Sequence, residues 1–485
     1  MRTIYALNLA NMASIMLAQV AIVPLLIKAL GVAQYEHWLY LFSISGICGL
    51  SAFGIDVYGS NLARMAYAGG DNQTAQKAIG ITLSLLLQTV LVFSLAAAIW
   101  FVLVPTNDNL ALCLMIAAAP LASCRAFLGY LLTARTSQIG ELVAFIAFNL
   151  LQTSALALAA WWDGRAVALA TAFLISILIF GIAPLVAAIK RRAPDVSLMP
   201  ARLTLGQAVE HYRLALPTFS YSAATAAITY LPVVIMASVP GVPTGGTAAF
   251  AVSRTLVGVV RQFCLQLARS NGIELSRFLA PENAGRLRAL FISGSAATAT
   301  LAATGLGALP PIANILIATW THRPELFEMV TIIVFCIGGV LSAMVQVPML
   351  MPQFTNQAQL MVRPLAIQMA LVIILGAAGA TLFHAAGMAS ALSVAELATV
   401  GWVSIQRIVP RLNIAPLRFI LGTGAPALVM MVASAALSLI ARWIVAPETF
   451  VDLIWSGLIW SIGILPLAYG VFHWINANRA KLLAA

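Results

Sequence analysis

Long apolar blocks separated by short polar breaks dominate the chain. Leu83–Leu103 runs 21 residues without a charge, and Phe173–Ile189 and Ile420–Ala441 repeat the pattern. Each block matches the roughly 30 Å of hydrocarbon that a helix must cross. The period-two alternation of a membrane β-strand is absent, so the pattern predicts helices rather than a barrel. Spans are expected near 5–28, 38–62, 79–103, 110–132, 140–161, 166–188, 213–236, 247–267, 288–308, 327–350, 360–382, 386–406, 419–441 and 452–473. Pro310-Pro311 are expected to end the ninth span, because proline lacks the N–H that continues a helix. The fold class is therefore all-α and polytopic, with about 14 transmembrane helices.

Composition agrees with this reading. Of 485 residues, 62% are hydrophobic and 8% charged, against about 25% charged in a soluble domain. The net charge of +11 falls between the apolar blocks, which points to membrane orientation and not to nucleic acid. With the N-terminus inside, the inner side receives 19 of the 26 Lys and Arg, the outer side 4, and the spans 3. Both termini are then cytoplasmic. The first span carries Asn8, Asn11 and Gln19 and lacks a small-residue cleavage site, so it reads as a retained helix.

The longest connection, 190–212, is basic and contains Pro194 and Pro200. It divides the chain into a six-helix half at 1–189 and a second at 213–411, with two accessory helices and a tail at 412–485. The halves resemble each other. Tyr58-Gly59-Ser60-Asn61-Leu62-Ala63-Arg64 aligns without a gap on Phe263-Cys264-Leu265-Gln266-Leu267-Ala268-Arg269. Each is followed by an acidic-then-basic loop, Asp71 to Lys77 and Glu282 to Arg288. Six helices per copy give parallel repeats, with a pseudo-twofold along the membrane normal.

Charges inside the spans carry the candidate chemistry, since each needs a cavity, a partner or an escape to the interface. Arg254 and Arg261 lie two turns apart on the eighth span, roughly 10 Å along one face. Arg261 is near enough to the inner end to snorkel; Arg254 is expected to line a water-filled cavity. For Arg125 two readings stay open, the same cavity or a pair with Glu141. Asp56 aligns with Arg261 in the repeat, so a closing pair with Arg261 or Arg254 and a static salt bridge are alternatives. Glu396 is central in the twelfth span with no basic residue near it in sequence. Ion coupling and a neutral, hydrogen-bonded glutamate are both open for it. Asn11, Gln19, Tyr221 and Thr225 have spacings that suit either cavity lining or helix–helix contact. Trp38, Trp161, Trp162, Trp320 and Trp443 fall near span ends as interfacial anchors. The five cysteines and five histidines form no metal-ligand or catalytic pattern, so no cofactor and no enzyme chemistry is expected.

Pro24-Leu25-Leu26, Leu30-Gly31, Tyr35, Phe53-Gly54-Ile55-Asp56, Leu62-Ala63-Arg64 and the Gly70-Asp71 loop carry a family likeness. Through them the chain resembles the multidrug/oligosaccharidyl-lipid/polysaccharide exporter superfamily, most of all its Wzx-type polysaccharide branch. It departs from that pattern at Glu36-His37-Trp38 and in the order Gly54-Ile55-Asp56. The resemblance implies alternating access by two six-helix lobes in a bacterial inner membrane. It also implies a polyprenyl-pyrophosphate-linked oligosaccharide as substrate, bound for O-antigen, capsule or exopolysaccharide assembly. Arg125, Arg254 and Arg261 suit such an anion, since guanidinium forks match phosphate oxygens. Asp56 and Glu396 are the gating or ion-coupling candidates, with a proton or sodium ion as the coupled species. Further partners implied are membrane lipids, a polysaccharide polymerase and a chain-length regulator. An ion-coupled small-molecule or multidrug exporter of the same superfamily is the second reading. A glycan polymerase is disfavoured by the short outer loops.

Overall fold

The computed structural model describes residues 2–52, 54–135, 138–276, 284–354 and 359–477. Among these, fourteen helices follow one another, as the apolar blocks predict. They are α1 (2–30), α2 (32–68), α3 (Asn72–Leu103), α4 (Asn107–Arg135), α5 (Gln138–Trp162), α6 (Ala166–Arg192) and α7 (Leu205–Ser238). They continue with α8 (Gly246–Ser276), α9 (Ala284–Thr321), α10 (Met329–Phe354), α11 (359–383), α12 (385–412), α13 (Pro416–Val445) and α14 (Phe450–Ala477). Two helix boundaries rest on single residues. Gly31 at φ 74° separates α1 from α2, and His384 at φ 51° separates α11 from α12. Phe53, the Glu282 end of the second repeat loop, and the side chains of Asn8 and Tyr221 lie outside the described residues.

Three helices depart from regular α geometry. α2 stops at Cys48, passes through a 3-10 turn at Gly49–Ala52 and resumes at Ile55 after Gly54, which is left-handed at φ 68°. A left-handed residue costs an L side chain about 1 kcal/mol, so glycine fits the break. α6 contains a π-helical turn at Ile177–Ile182, and α12 contains π segments at Leu397–Gly401 and Ser404–Ile408. The first π turn begins 11 residues after Ala166 in α6. The first π segment of α12 begins 12 residues after its start at Ala385.

Pro310 and Pro311 do not end the ninth span; α9 runs through them to Thr321. Hydrocarbon offers no water to a broken end, which favours continuing the helix. α13 lies along this stretch and donates to carbonyls other than those of Leu306 and Gly307, which lose their usual donors to Pro310 and Pro311. Ser434 Oγ donates to Thr304 O at 2.6 Å, Ser438 Oγ to Ala308 O at 2.9 Å, and Arg442 Nη1 to Pro311 O at 2.6 Å. A Cβ on Gly307 would stand 2.6 Å from the Met431 carbonyl oxygen, so only glycine permits this approach. α13 is thus packed along α9, while α14 leaves Ile462, Leu465 and Tyr469 exposed.

The chain divides into two compact units, Met1–Val234 and Ile235–Ala485. In the first, α1 packs on α5, and α4 packs on α2, α3 and α6. Its core is built on Ile79, Leu85, Leu86, Phe127 and Leu131. The 193–204 segment is fastened to α3. Gln76 Nε2 donates to Asp195 O at 2.7 Å and its Oε1 accepts from Ser197 N at 3.0 Å; Ala201 N donates to Gly80 O at 2.9 Å. In the second unit α9 is central, against α8, α10, α13 and α14. Trp38, expected at the interface, is instead 4% exposed and packs towards Phe42. Trp161, Trp162 and Trp443 are exposed.

Candidate functional site

Two clusters hold the intramembrane charges, one in each unit. In the first, Arg125 on α4 extends between the rings of Phe145 and Phe148 on α5, at 4.3 and 4.2 Å from the ring centroids. The π turn of α6 makes room for it: a Cβ on Gly181 would lie 2.7 Å from Arg125 Cδ. A small pocket here is lined by Arg125, Gly129, Glu141, Phe145, Phe148 and Leu185. Glu141 faces this pocket, yet its carboxylate accepts from the Thr133 hydroxyl. Among the described residues no carboxylate lies within ion-pair distance of Arg125. Two phenyl faces therefore hold this cation, at about 0.5–2 kcal/mol per contact.

Asp56 opens the resumed part of α2. Asp56 lies near Cys124 and Tyr130 on α4. Arg64, Arg125 and Glu141 also lie near Tyr130, so one phenol has four ionisable neighbours. Nothing in the local sequence marks Tyr130; its place emerges only when α2, α4 and α5 are packed together.

In the second unit, Arg261 on α8 meets Glu396 on α12. Nη2 donates to Oε1 at 3.3 Å and to Oε2 at 3.2 Å. The same nitrogen donates to Ser342 Oγ on α10 at 3.0 Å, and the Ser342 hydroxyl donates to Glu396 Oε1. Glu396 thus has a basic partner from another helix, 135 residues away in sequence. Small residues allow the three helices to converge. Gly338 abuts Ser393 with no room for a Cβ, and Ser342 and Glu396 follow about one turn later on their helices. Gly339 leaves space for the Arg261 stem, which passes 3.7 Å from the site of its missing Cβ. Glu396 is the last residue before the π segment Leu397–Gly401. The Arg261 side chain is 39% exposed and that of Glu396 is 16% exposed, so the pair is reachable from outside the protein interior.

Arg254, two turns along α8, places its guanidinium 6.0 Å from the Phe250 ring centroid. The weaker polar candidates scatter. Asn11 Oδ1 is buried without a hydrogen-bond partner in the first unit. Gln19 and Thr225 are exposed. Asn149 Nδ2 donates to Ser14 Oγ at 3.4 Å, and Gln152 Nε2 to Ser176 Oγ at 3.3 Å, which are helix–helix contacts. Among the described residues no group of His, Cys, Asp or Glu is arranged to hold a metal ion.

No protein-family model matches the chain, and no curated protein is similar to it in sequence. Its fold does match solved structures. The lipid II flippase MurJ, in an inward closed conformation, superposes with a TM-score of 0.68 at 14% identity. The match covers 99% of this chain and 100% of that one. An inward-facing multidrug resistance MATE family transporter of the MOP superfamily gives 0.63 at 13% identity, over 82% of this chain and 95% of the other. A MOP superfamily transporter from Pyrococcus furiosus, described as having a binding pocket of reverse polarity, gives 0.54 at 14% identity. It covers 85% of this chain and 96% of its own. The fold is therefore the one shared by MurJ and the MATE transporters, and the chain is a multi-pass membrane protein of that architecture.

Proposed function

We propose that the chain is a flippase for a polyprenyl-pyrophosphate-linked oligosaccharide. It would carry this lipid from the cytoplasmic to the outer leaflet of a bacterial inner membrane, for assembly of a surface polysaccharide. On this reading 1–189 and 213–411 are the two lobes, related by a pseudo-twofold along the membrane normal. Residues 190–212 join them on the cytoplasmic side, and 412–485 are accessory. The N- and C-termini are cytoplasmic.

The observation that carries the reading is the sign of the charge in the apolar spans. Arg125, Arg254 and Arg261 are arginines on membrane helices, and Arg125 is held by phenyl rings with no ion-paired carboxylate among the described residues. An unneutralised guanidinium in a low-dielectric setting favours an anionic ligand, and its planar fork suits phosphate oxygens. Likeness of fold to a lipid II flippase is in keeping with such a cargo. The Arg254→Ala/Arg261→Ala double variant is expected to abolish surface glycan while remaining in the membrane. Full complementation by that variant overturns the assignment.

A second reading is favoured by the likeness of fold to MATE transporters. There the chain exports a small molecule in exchange for an ion, with Asp56 and Glu396 as the coupling groups. A deletion strain that is drug-sensitive but keeps its surface glycan supports this second reading over the first.

A further inference from the structure

The end of α12 and the start of α13 form a cationic elbow. α12 finishes through Arg407 and Arg411, and Arg418 lies in the first turn of α13. The turn between them is held in place. Asn413 is left-handed at φ 55°, and its N–H donates to Pro410 O at 2.9 Å. Val409, Leu412, Ile414 and Phe419 are buried in one cluster with Leu275 of α8, Phe291 of α9 and Val347 of α10. All three arginines are exposed. Among the described residues neither Arg407 nor Arg418 makes a hydrogen bond or an ion pair. No Asp or Glu occurs between Glu396 and Glu448, so the elbow carries no counter-charge of its own. The stretches 269–288 and 407–418 together hold seven arginines against Glu274 and Glu282.

Apolar side chains flank these charges. Leu417, Leu421 and Leu428 share one face of α13 and are 66%, 59% and 63% exposed. Leu417 adjoins Arg418, so the apolar face runs up to the arginine with no polar belt between. Trp402, five residues before Arg407 on α12, is 59% exposed. Five residues is about 7.5 Å of helix. This is the order of a bilayer boundary, with leucines in the hydrocarbon, an indole at the interface and guanidinium groups at the depth of the phosphates.

We propose that the α12–α13 elbow is a binding site for an anionic phospholipid, with headgroup phosphates on Arg407 and Arg418 and acyl chains along the Leu417–Leu428 face of α13. Guanidinium forks match phosphate oxygens. The unneutralised charge selects a headgroup with net negative charge over a zwitterionic one. The exposed leucines beside Arg418 select a bilayer lipid over a soluble phosphate. The site stands apart from both intramembrane charge clusters, since Arg407 lies about three turns along α12 from Glu396. It does not depend on what the protein carries.

The test titrates the purified full-length protein in detergent with phosphatidylglycerol or phosphatidylcholine and counts bound lipid by native mass spectrometry. A basic residue at an anionic lipid surface contributes about fivefold in affinity. The wild type is expected to bind phosphatidylglycerol more tightly than phosphatidylcholine. Arg407→Gln/Arg418→Gln is expected to bind phosphatidylglycerol about 25-fold more weakly, with phosphatidylcholine unchanged. Arg191→Gln/Arg192→Gln removes two exposed positive charges from the end of α6, and should leave phosphatidylglycerol binding as in the wild type. Should the elbow variant not fold, a fluorophore on Leu417→Cys reports on the site with its arginines intact, in a nanodisc and in a chain whose five native cysteines are replaced. Brominated phosphatidylglycerol should quench it more than brominated phosphatidylcholine at equal mole fraction, and high salt should remove the excess. Equal quenching by the two lipids, or a wild type without preference between them, overturns the proposal. So does an equal loss in the two double variants, which would make the effect one of total charge and not of this site.

Discussion

Arg261 and Glu396 show how far a pair of residues can be argued. Alone in hydrocarbon each is expensive, and together they offset part of that cost. The offset is limited, since the arginine is 39% exposed and uses a single nitrogen. A double-mutant cycle of Arg261→Ala and Glu396→Ala, followed by SDS-induced unfolding, is expected to give a coupling energy of about 1–2 kcal/mol. A coupling near zero would mean that the two side chains are solvated independently. The pair was only half legible in the sequence. Arg261 and Glu396 each stand out as a charge within an apolar span. Their contact depends on α8 and α12 converging, and local sequence carries no signal for that. Ser342 was not legible at all, because a serine in a membrane helix ordinarily bonds its own backbone. Arg125 followed the same course. Its position was evident, but its partners turned out to be two phenyl rings, and Glu141 shares its pocket while bonding Thr133.

At the scale of elements, hydropathy read the helices well because crossing hydrocarbon leaves the chain few options. The breaks were harder. Gly31 and His384 end helices through single backbone angles, and no apolar pattern reports an angle. Pro310-Pro311 misled for the opposite reason. Proline's local preference is strong, yet a break in hydrocarbon would leave more backbone groups unpaired, and the helix continues with α13 bonded along it. Close helix contacts depend on glycines in the same way. Gly338 lets α10 touch α12 at Ser393, and the Arg261–Ser342–Glu396 cluster forms about one turn further on. A Cβ there would stand 2.8 Å from Ser393 Cβ. Gly338→Ala is therefore expected to push the helices apart and cost about 1–3 kcal/mol. In the same unfolding assay it should also shrink the Arg261–Glu396 coupling. An alanine variant of full stability and unchanged coupling would show that α10 shifts at no cost. The π turns of α6 and α12 begin 11 and 12 residues after their helix starts, against Arg125 and directly after Glu396. Such turns gather at functional positions.

For the whole molecule, the distribution of basic residues makes the strongest unmeasured statement. Loops that would be inner carry 19 Lys and Arg and those that would be outer carry 4. Lysine and arginine next to a span resist translocation, so this bias sets which end of each helix stays inside. An even number of helices then returns the C-terminus to the side of the N-terminus. The geometry makes the test clean. Four of the five cysteines are buried and Cys48 is partly so, so a chain with all five replaced by alanine or serine can carry one new cysteine as reporter. Asp195 lies exposed in the segment fastened to α3, and Glu448 lies exposed between α13 and α14. In intact spheroplasts a membrane-impermeant maleimide should label Glu448→Cys and spare Asp195→Cys until the membrane is permeabilised. Labelling of Asp195→Cys from outside would invert the topology. The basic segment and the Arg64 and Arg269 ends of α2 and α8 would then face away from the cytoplasm. A lipid-linked anion made in the cytoplasm would meet the opposite end of the carrier first, and Arg261 would lie at its exit.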